Sequence, residues 1–140
     1  MKVRVTLTRK FEFSASHRYW REDWTKEKNE AHFGECISPF GHGHNYELYV
    51  TVQGPIDPAT GMIINLTGLK ALVNDVLNEF DHKFLNLDTP YFKKRIPTTE
   101  NIAAVLFELI AEKLRDYTGV LLKRIRLYER SDLYAEVWKD

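Results

Sequence analysis

Two hydrophobic periods succeed one another along this chain, and their order constrains the fold more than any other feature. From Asn45 to Gln53, Tyr46, Leu48, Val50 and Val52 occupy alternate positions, with Glu47, Tyr49 and Thr51 between them. A period of two places the first set on one face of a strand and the second on the other. Val3, Val5 and Leu7 alternate in the same way with Arg4, Thr6 and Thr8, and the pattern extends through Phe11 and Phe13. The period then lengthens. Past the turn residues of GPIDPATG, Leu69, Leu72, Val73, Val76, Leu77 and Phe80 recur at helical spacing, which predicts a helix begun near Thr67.

A second helix is expected from PTTEN, where Thr98 or Thr99 can cap it, with Ile102, Val105, Leu106, Leu109 and Ile110 on one face. Leu121, Ile125 and Leu127, then Leu133, Ala135 and Val137, return to strand alternation. The order β-β-α-α-β-β predicts an α+β fold: a four-stranded antiparallel sheet with two helices on one face. Residues 1–140 are read as a single domain, since the length suits one core and no linker or repeat interrupts it. Such a sheet has two open edges, so pairing between subunits is expected there. The stretch Arg18–Glu35, RYWREDWTKEKNEAHFGE, has no clear period and reads as a functional loop or flap.

Composition narrows the partners. Twenty basic residues balance twenty acidic ones, so bulk charge offers no drive toward nucleic acid. The single cysteine cannot form an internal disulfide, which suits a reducing cytoplasm. MKVRVTLTRK has no apolar core of signal-peptide length, and no apolar run reaches the roughly 18 residues of a membrane span. A cytoplasmic protein with neither a membrane nor a nucleic-acid partner is expected.

The chemistry gathers around FGECISPFGHGHNY. His42 and His44 stand one residue apart at the start of a strand, so both imidazoles can reach one ion. His17 ends FEFSASH after the first strand, and a hairpin between the two strands would bring it to the same place. Three imidazoles without a further obvious ligand suggest zinc with an open position. A cupin would need a downstream glutamate, and Glu47 follows His44 too closely. Cys36 admits three readings: a fourth ligand closing a structural site, a catalytic thiolate, or a small buried hydrophobe.

Three further features carry charge. Asp81-His82 follows the first helix, where carboxylate and helix dipole together would favour imidazolium; the plainer reading is a surface helix stop. By period two, Glu129 shares a face with Leu127, Ile125 and Leu121, so its carboxylate points to the apolar side. There it needs a partner, such as two adjacent N–H donors of a heterocycle, unless the strand end is frayed into water. Thr98, Thr99 and Glu100 form a helix start whose free N–H groups can also meet a polar ligand.

Taken together, FSASHR, FGECISPFGHGHNY, GMIINLTGLK, FDHKFLNLD, PTTENIA and the final YE resemble the 6-pyruvoyl-tetrahydropterin synthase family. The resemblance implies a tunnelling fold, with trimers closing a barrel, two trimers stacking into a homohexamer, and active sites between subunits. Carried over by residue, it implies zinc on His17, His42 and His44, Cys36 as catalytic base, and Asp81 and His82 as its partners. Glu129 would grip the pterin ring, with Thr98 and Thr99 lining its pocket.

The family runs two reactions. One converts 7,8-dihydroneopterin triphosphate to 6-pyruvoyl-tetrahydropterin with loss of triphosphate, toward tetrahydrobiopterin. The other makes 6-carboxytetrahydropterin with release of acetaldehyde, toward queuosine. Five residues separate Cys36 from His42, and Asn65 stands where the queuosine branch has aspartate; both features resemble the biopterin type. Arg18, Arg21, Lys26 and Lys28 stand near His17 as candidates for the triphosphate. A non-enzymatic zinc-stapled binding module is the contrasting class, and a metal site closed by Cys36 would mark it.

Overall fold

The computed structural model describes residues 3–140, and the expected first strand begins only at Thr6, leaving Val3 exposed before it. Strand β1 (Thr6–His17) pairs antiparallel with β2 (His42–Gln53) along its whole length, Thr6 opposite Gln53 and His17 opposite His42. Strand β4 (Leu121–Arg130) lies on the other side of β2, and β5 (Leu133–Trp138) forms an edge. The other edge is β3 (Lys83–Phe84), which runs parallel to β1 at Ala15 and Ser16. The sheet is therefore five-stranded and mixed, in the order β3-β1-β2-β4-β5, where four antiparallel strands were expected. A two-residue strand is too short to leave an alternation in sequence.

Both expected long helices form. Helix α2 (Leu66–Leu77) starts one residue before the expected Thr67, because the Asn65 side chain caps it by accepting from Thr67 N–H at 2.9 Å. Its Leu69, Leu72, Val73, Val76 and Leu77 are buried, each contributing roughly 1.5–3 kcal/mol. Phe80 is also fully buried but lies beyond the helix end. Helix α4 (Thr99–Leu114) is capped by Thr98, whose hydroxyl accepts from Asn101 N–H at 3.1 Å. Both helices pack with the apolar sheet face into one core, in which Phe13 stacks on Tyr46 at 4.9 Å.

The aperiodic stretch contains more than a loop. Thr25 caps a helix α1 (Lys26–Phe33), and a 3₁₀ turn follows at Gly34–Ile37. Periodicity misses α1 because its one buried residue is a polar one, Asn29. The Asn29 amide accepts from Arg21 N–H at 2.8 Å and donates to the Arg21 and Thr25 carbonyls at 3.0 Å. A further short helix, α3 (Leu85–Asp88), follows β3.

A register shift in β4 alters one expected face. Thr51 pairs with Arg124, but Val52 pairs with Leu122, so the strand bulges at the position between. Leu122 thereby enters the core, and Leu121, expected beside Ile125 and Leu127, is exposed. Leu133 is likewise exposed, while Ala135 and Val137 pack partly against the core. At the other end of the sheet, Gly41 has φ 72°, and a Cβ there would stand 2.7 Å from the His17 carbonyl oxygen. Only glycine lets the chain enter β2 this close to the end of β1. Among the described residues no helix is long and apolar enough to cross a membrane.

Candidate metal centre

His17 closes β1, His42 opens β2, and the register sets them opposite each other. Two residues on, His44 projects to the same side as His42 and Tyr46, as alternation requires. The Nε2 atoms of His17 and His42 are 3.2 Å apart, and one nitrogen from each of His17, His42 and His44 lies within 4.8 Å of the others. The rings stand edge to face, with centroids 4.7, 5.2 and 5.0 Å apart.

The protonation of this cluster follows from its neighbours. His17 is fully buried, and its Nδ1 lies 2.7 Å from the Pro97 carbonyl oxygen. A carbonyl can only accept, so Nδ1 carries the proton and the lone pair stays on Nε2, facing the other rings. Burial pushes the His17 and His44 pKa values down, against the opposing pull of Glu129, so the neutral rings are favoured. His44 Nε2 is buried and has no hydrogen-bond partner among the described residues. Such an atom is costly unless something binds it. Convergent lone pairs, one locked tautomer and one orphaned nitrogen fit a metal cation.

Glu129 faces inward, as expected. It is buried, and its Oε1 lies 3.5 Å from both His17 Nε2 and His44 Nε2. Cys36 sits in the 3₁₀ turn, where its carbonyl accepts from Tyr19 N–H at 2.7 Å. Its sulfur is not among the converging ligand atoms. Burial pushes the thiol pKa up, and the charges of Glu129 and Glu35 add to this. Thr98 and buried Thr99 begin α4 directly after Pro97, so that helix start adjoins the cluster.

The Asp81–His82 pair forms elsewhere. Helix α2 ends at Leu77, and the Asp81 N–H donates to that residue's carbonyl at 2.8 Å. Asp81 Oδ1 accepts from Ser14 N–H at 2.8 Å, Oδ2 lies 3.0 Å from His82 Nδ1, and His82 N–H donates to Ser14 O at 2.6 Å. The Ser14 N–H, then His82, hold the Asp81 carboxyl below its ordinary range. His82 takes φ 61° and leaves its ring 83% exposed, beside a cavity of about 420 Å³ lined by Ser14, Ser16, Asn45 and Phe84. The pair is anchored at Ser14 and Cys36 at Tyr19, five residues on, about 16 Å in extended chain. The charges that raise the Cys36 thiol pKa are those of Glu129 and Glu35.

Two residues of the site escape sequence reasoning. Pro97 acts through its carbonyl, and no side-chain pattern reports that. Tyr19 presents its ring edge to His17 at 5.3 Å, and burial raises its phenol pKa well above the ordinary value. Of the cations near His17, Arg21 pairs with Asp23 at 2.6 Å and Lys26 with Glu30 at 3.7 Å. Lys28 lies 4.4 Å over the Trp24 ring, and Arg18 donates to the Ile37 carbonyl at 2.7 Å.

The chain is similar to known proteins named for pterin chemistry. Residues 6–140 match the family model described as 6-pyruvoyl tetrahydropterin synthase. A Pongo abelii protein named 6-pyruvoyl tetrahydrobiopterin synthase is 43% identical over 91% of this chain and 87% of its own length. The solved structure of Caenorhabditis elegans 6-pyruvoyl tetrahydropterin synthase superposes with a TM-score of 0.91 at 32% identity, over 99% of this chain and 97% of that one. An Archaeoglobus fulgidus protein, named a putative 6-carboxy-5,6,7,8-tetrahydropterin synthase, is 36% identical over 69% of this chain and 74% of its own.

Proposed function

Because the chain belongs to the 6-pyruvoyl tetrahydropterin synthase family, we propose that it is a zinc-dependent lyase. In this reading it converts 7,8-dihydroneopterin triphosphate to 6-pyruvoyl-tetrahydropterin with elimination of triphosphate. The observation that carries the reading is the His17, His42 and His44 cluster, whose buried His44 Nε2 has no hydrogen-bond partner among the described residues. His17, His42 and His44 would hold the metal. Zinc held there would supply Lewis acidity toward the substrate's side-chain hydroxyls.

The chain's own groups do the rest. Glu129 accepts two N–H bonds from the pterin edge, and its inward position supports that role. Thr98 and Thr99 line the ring pocket, supported by the place of the α4 start beside Pro97. Cys36 removes a proton from the side-chain carbon, and His82, held by Asp81, carries protons to and from the side chain. In the isolated subunit burial, then Glu129 and Glu35, push the Cys36 thiol pKa up. Zinc bound beside it would favour the thiolate, while the Asp81–His82 pair, anchored at Ser14 away from Cys36, would reach it from a second copy. This supports a homohexamer with sites shared between subunits, as do the exposed Leu133, Tyr134 and Trp138 of edge strand β5.

The likeness to the Archaeoglobus fulgidus protein favours a second reading, formation of 6-carboxytetrahydropterin with release of acetaldehyde. The zinc-stapled module is disfavoured by the place of Cys36 outside the converging ligand atoms. Incubation of the zinc-loaded protein with dihydroneopterin triphosphate distinguishes the three. Inorganic triphosphate without acetaldehyde is the expected result. Acetaldehyde would establish the second reading, and an unchanged substrate would overturn both.

A further inference from the structure

A second cleft, about 280 Å³, shares Pro97 with the metal centre. Trp20, Phe92, Ile96 and Pro97 form its apolar walls. Its charges are Arg21, Lys93, Lys94 and Arg95, set against Glu22 and Asp23. Arg21 is paired with Asp23 and Arg95 with Glu108, but these are half-exposed pairs, which contribute little in water and exchange readily for a better anion. Lys93 and Lys94 meet no carboxylate within 4.0 Å among the described residues. Behind the aromatic wall, the Arg18 guanidinium lies 4.6 Å from the Trp20 ring centre, and its buried Nε has no hydrogen-bond partner among the described residues. Cations outnumber carboxylates in its lining four to two.

The wall carrying Arg21 is rigid. Asn86 accepts from Arg18 N–H and donates to Arg18 O, each at 2.9 Å. Asn29 holds Arg21 in the same two-sided way, at 2.8 and 3.0 Å. Two amide side chains thus replace a neighbouring strand for the segment Arg18–Arg21, so a ligand need not order it. Arginine forks and lysine point charges are the usual donors to phosphate. Four cations from two separate segments line the cleft, enough to meet several anionic groups, while its volume falls just below the roughly 300 Å³ at which ordinary ligand pockets begin.

The geometry points to a seat for a short phosphate chain in this cleft, beside the metal centre and distinct from it. Two sources share that chemistry: the triphosphate tail of the substrate, which rests on the function proposed above, and a free inorganic chain, which does not.

The test is calorimetric titration of the zinc-loaded protein with inorganic triphosphate, with protein-bound zinc measured before and after. Saturable binding with zinc retained is expected. In K93E/K94E it weakens about tenfold or more, while K70E, a charge reversal on exposed α2, leaves it unchanged. Absence of saturable binding, heat accounted for by stripped zinc, or equal weakening in K70E would overturn the seat. Turnover then separates the sources. A raised KM with kcat retained in K93E/K94E, and competition by triphosphate, identify the substrate's tail. Binding without competition identifies a free chain. A protein that binds triphosphate but turns over no pterin would sink the lyase reading and leave the cleft standing.

Discussion

His17 Nδ1 donates to the carbonyl oxygen of Pro97 at 2.7 Å, across 80 residues of sequence. That bond ties the end of β1 to the start of α4 and fixes which imidazole nitrogen is free to bind a metal. It also places the α4 start and the cleft before it against the histidine cluster. Metal affinity, ring orientation and the approach to the site depend on this one contact.

Replacing His44 separates metal binding from folding. In metal-free protein, His44→Leu is expected to unfold no more easily than wild type, because it removes a buried nitrogen with no hydrogen-bond partner among the described residues, which costs about 1–3 kcal/mol. Wild type should gain thermal stability on adding zinc, and the variant should not. Equal stabilisation of both by zinc would remove His44 from the ligand set. The check is a melting curve with and without stoichiometric metal.

Cys36→Ala tests the base. A positioned base contributes roughly 10²–10⁴-fold to rate, so kcat should fall by about that factor. Bound zinc, measured by elemental analysis, should remain at the wild-type level, since the sulfur lies outside the converging ligand atoms. Loss of zinc with the sulfur would instead identify a closed structural site.

Asp81 predicts a pH dependence. Its folded pKa is depressed below the unfolded 3.8, chiefly by the Ser14 N–H and then by His82. Between those two values the unfolded chain binds more protons, so stability falls as pH falls through the folded value and is fully present above the unfolded one. Asp81→Asn removes this component. Denaturant unfolding at about pH 6 and about pH 3 should show a smaller loss of stability in the variant than in wild type. An identical loss would place the carboxylate in water.

Mixing two inactive variants tests the shared site. Cys36→Ala and His82→Ala subunits, unfolded together and reassembled at equal amounts, should recover roughly a quarter of wild-type activity, because one site in four then draws both groups intact from different copies. No recovery on verified co-assembly would confine the reaction to one subunit.

Glu129→Gln keeps shape and removes charge. Charge-assisted hydrogen bonds contribute roughly 1.5–3 kcal/mol, so the Kd for the pterin should rise about ten- to a hundredfold. Unchanged pterin affinity, measured by titration, would assign the carboxylate to the histidine cluster alone.

Alternation in β2 and helical spacing in α2 and α4 were legible in sequence because each element buries one apolar face, and burial leaves a period. Helix α1 was illegible for the converse reason: its buried residue is Asn29, held by backbone groups rather than by apolar packing. Strand β3 was too short to read, and the bulge between Arg124 and Leu122 shifted a face without altering the alternation on either side of it.

At the site, residue type and spacing were enough to single out His17, His42 and His44, because a strand returns alternate side chains to one side. They also put Glu129 on the inward face. What a linear reading could not supply were relations between distant backbone segments. The Pro97 carbonyl on His17, the Ser14 amide on Asp81, and the separation of Asp81–His82 from Cys36 all arise from how strands and turns meet in space. Periodicity records which way a side chain faces; only the assembled fold decides what it faces.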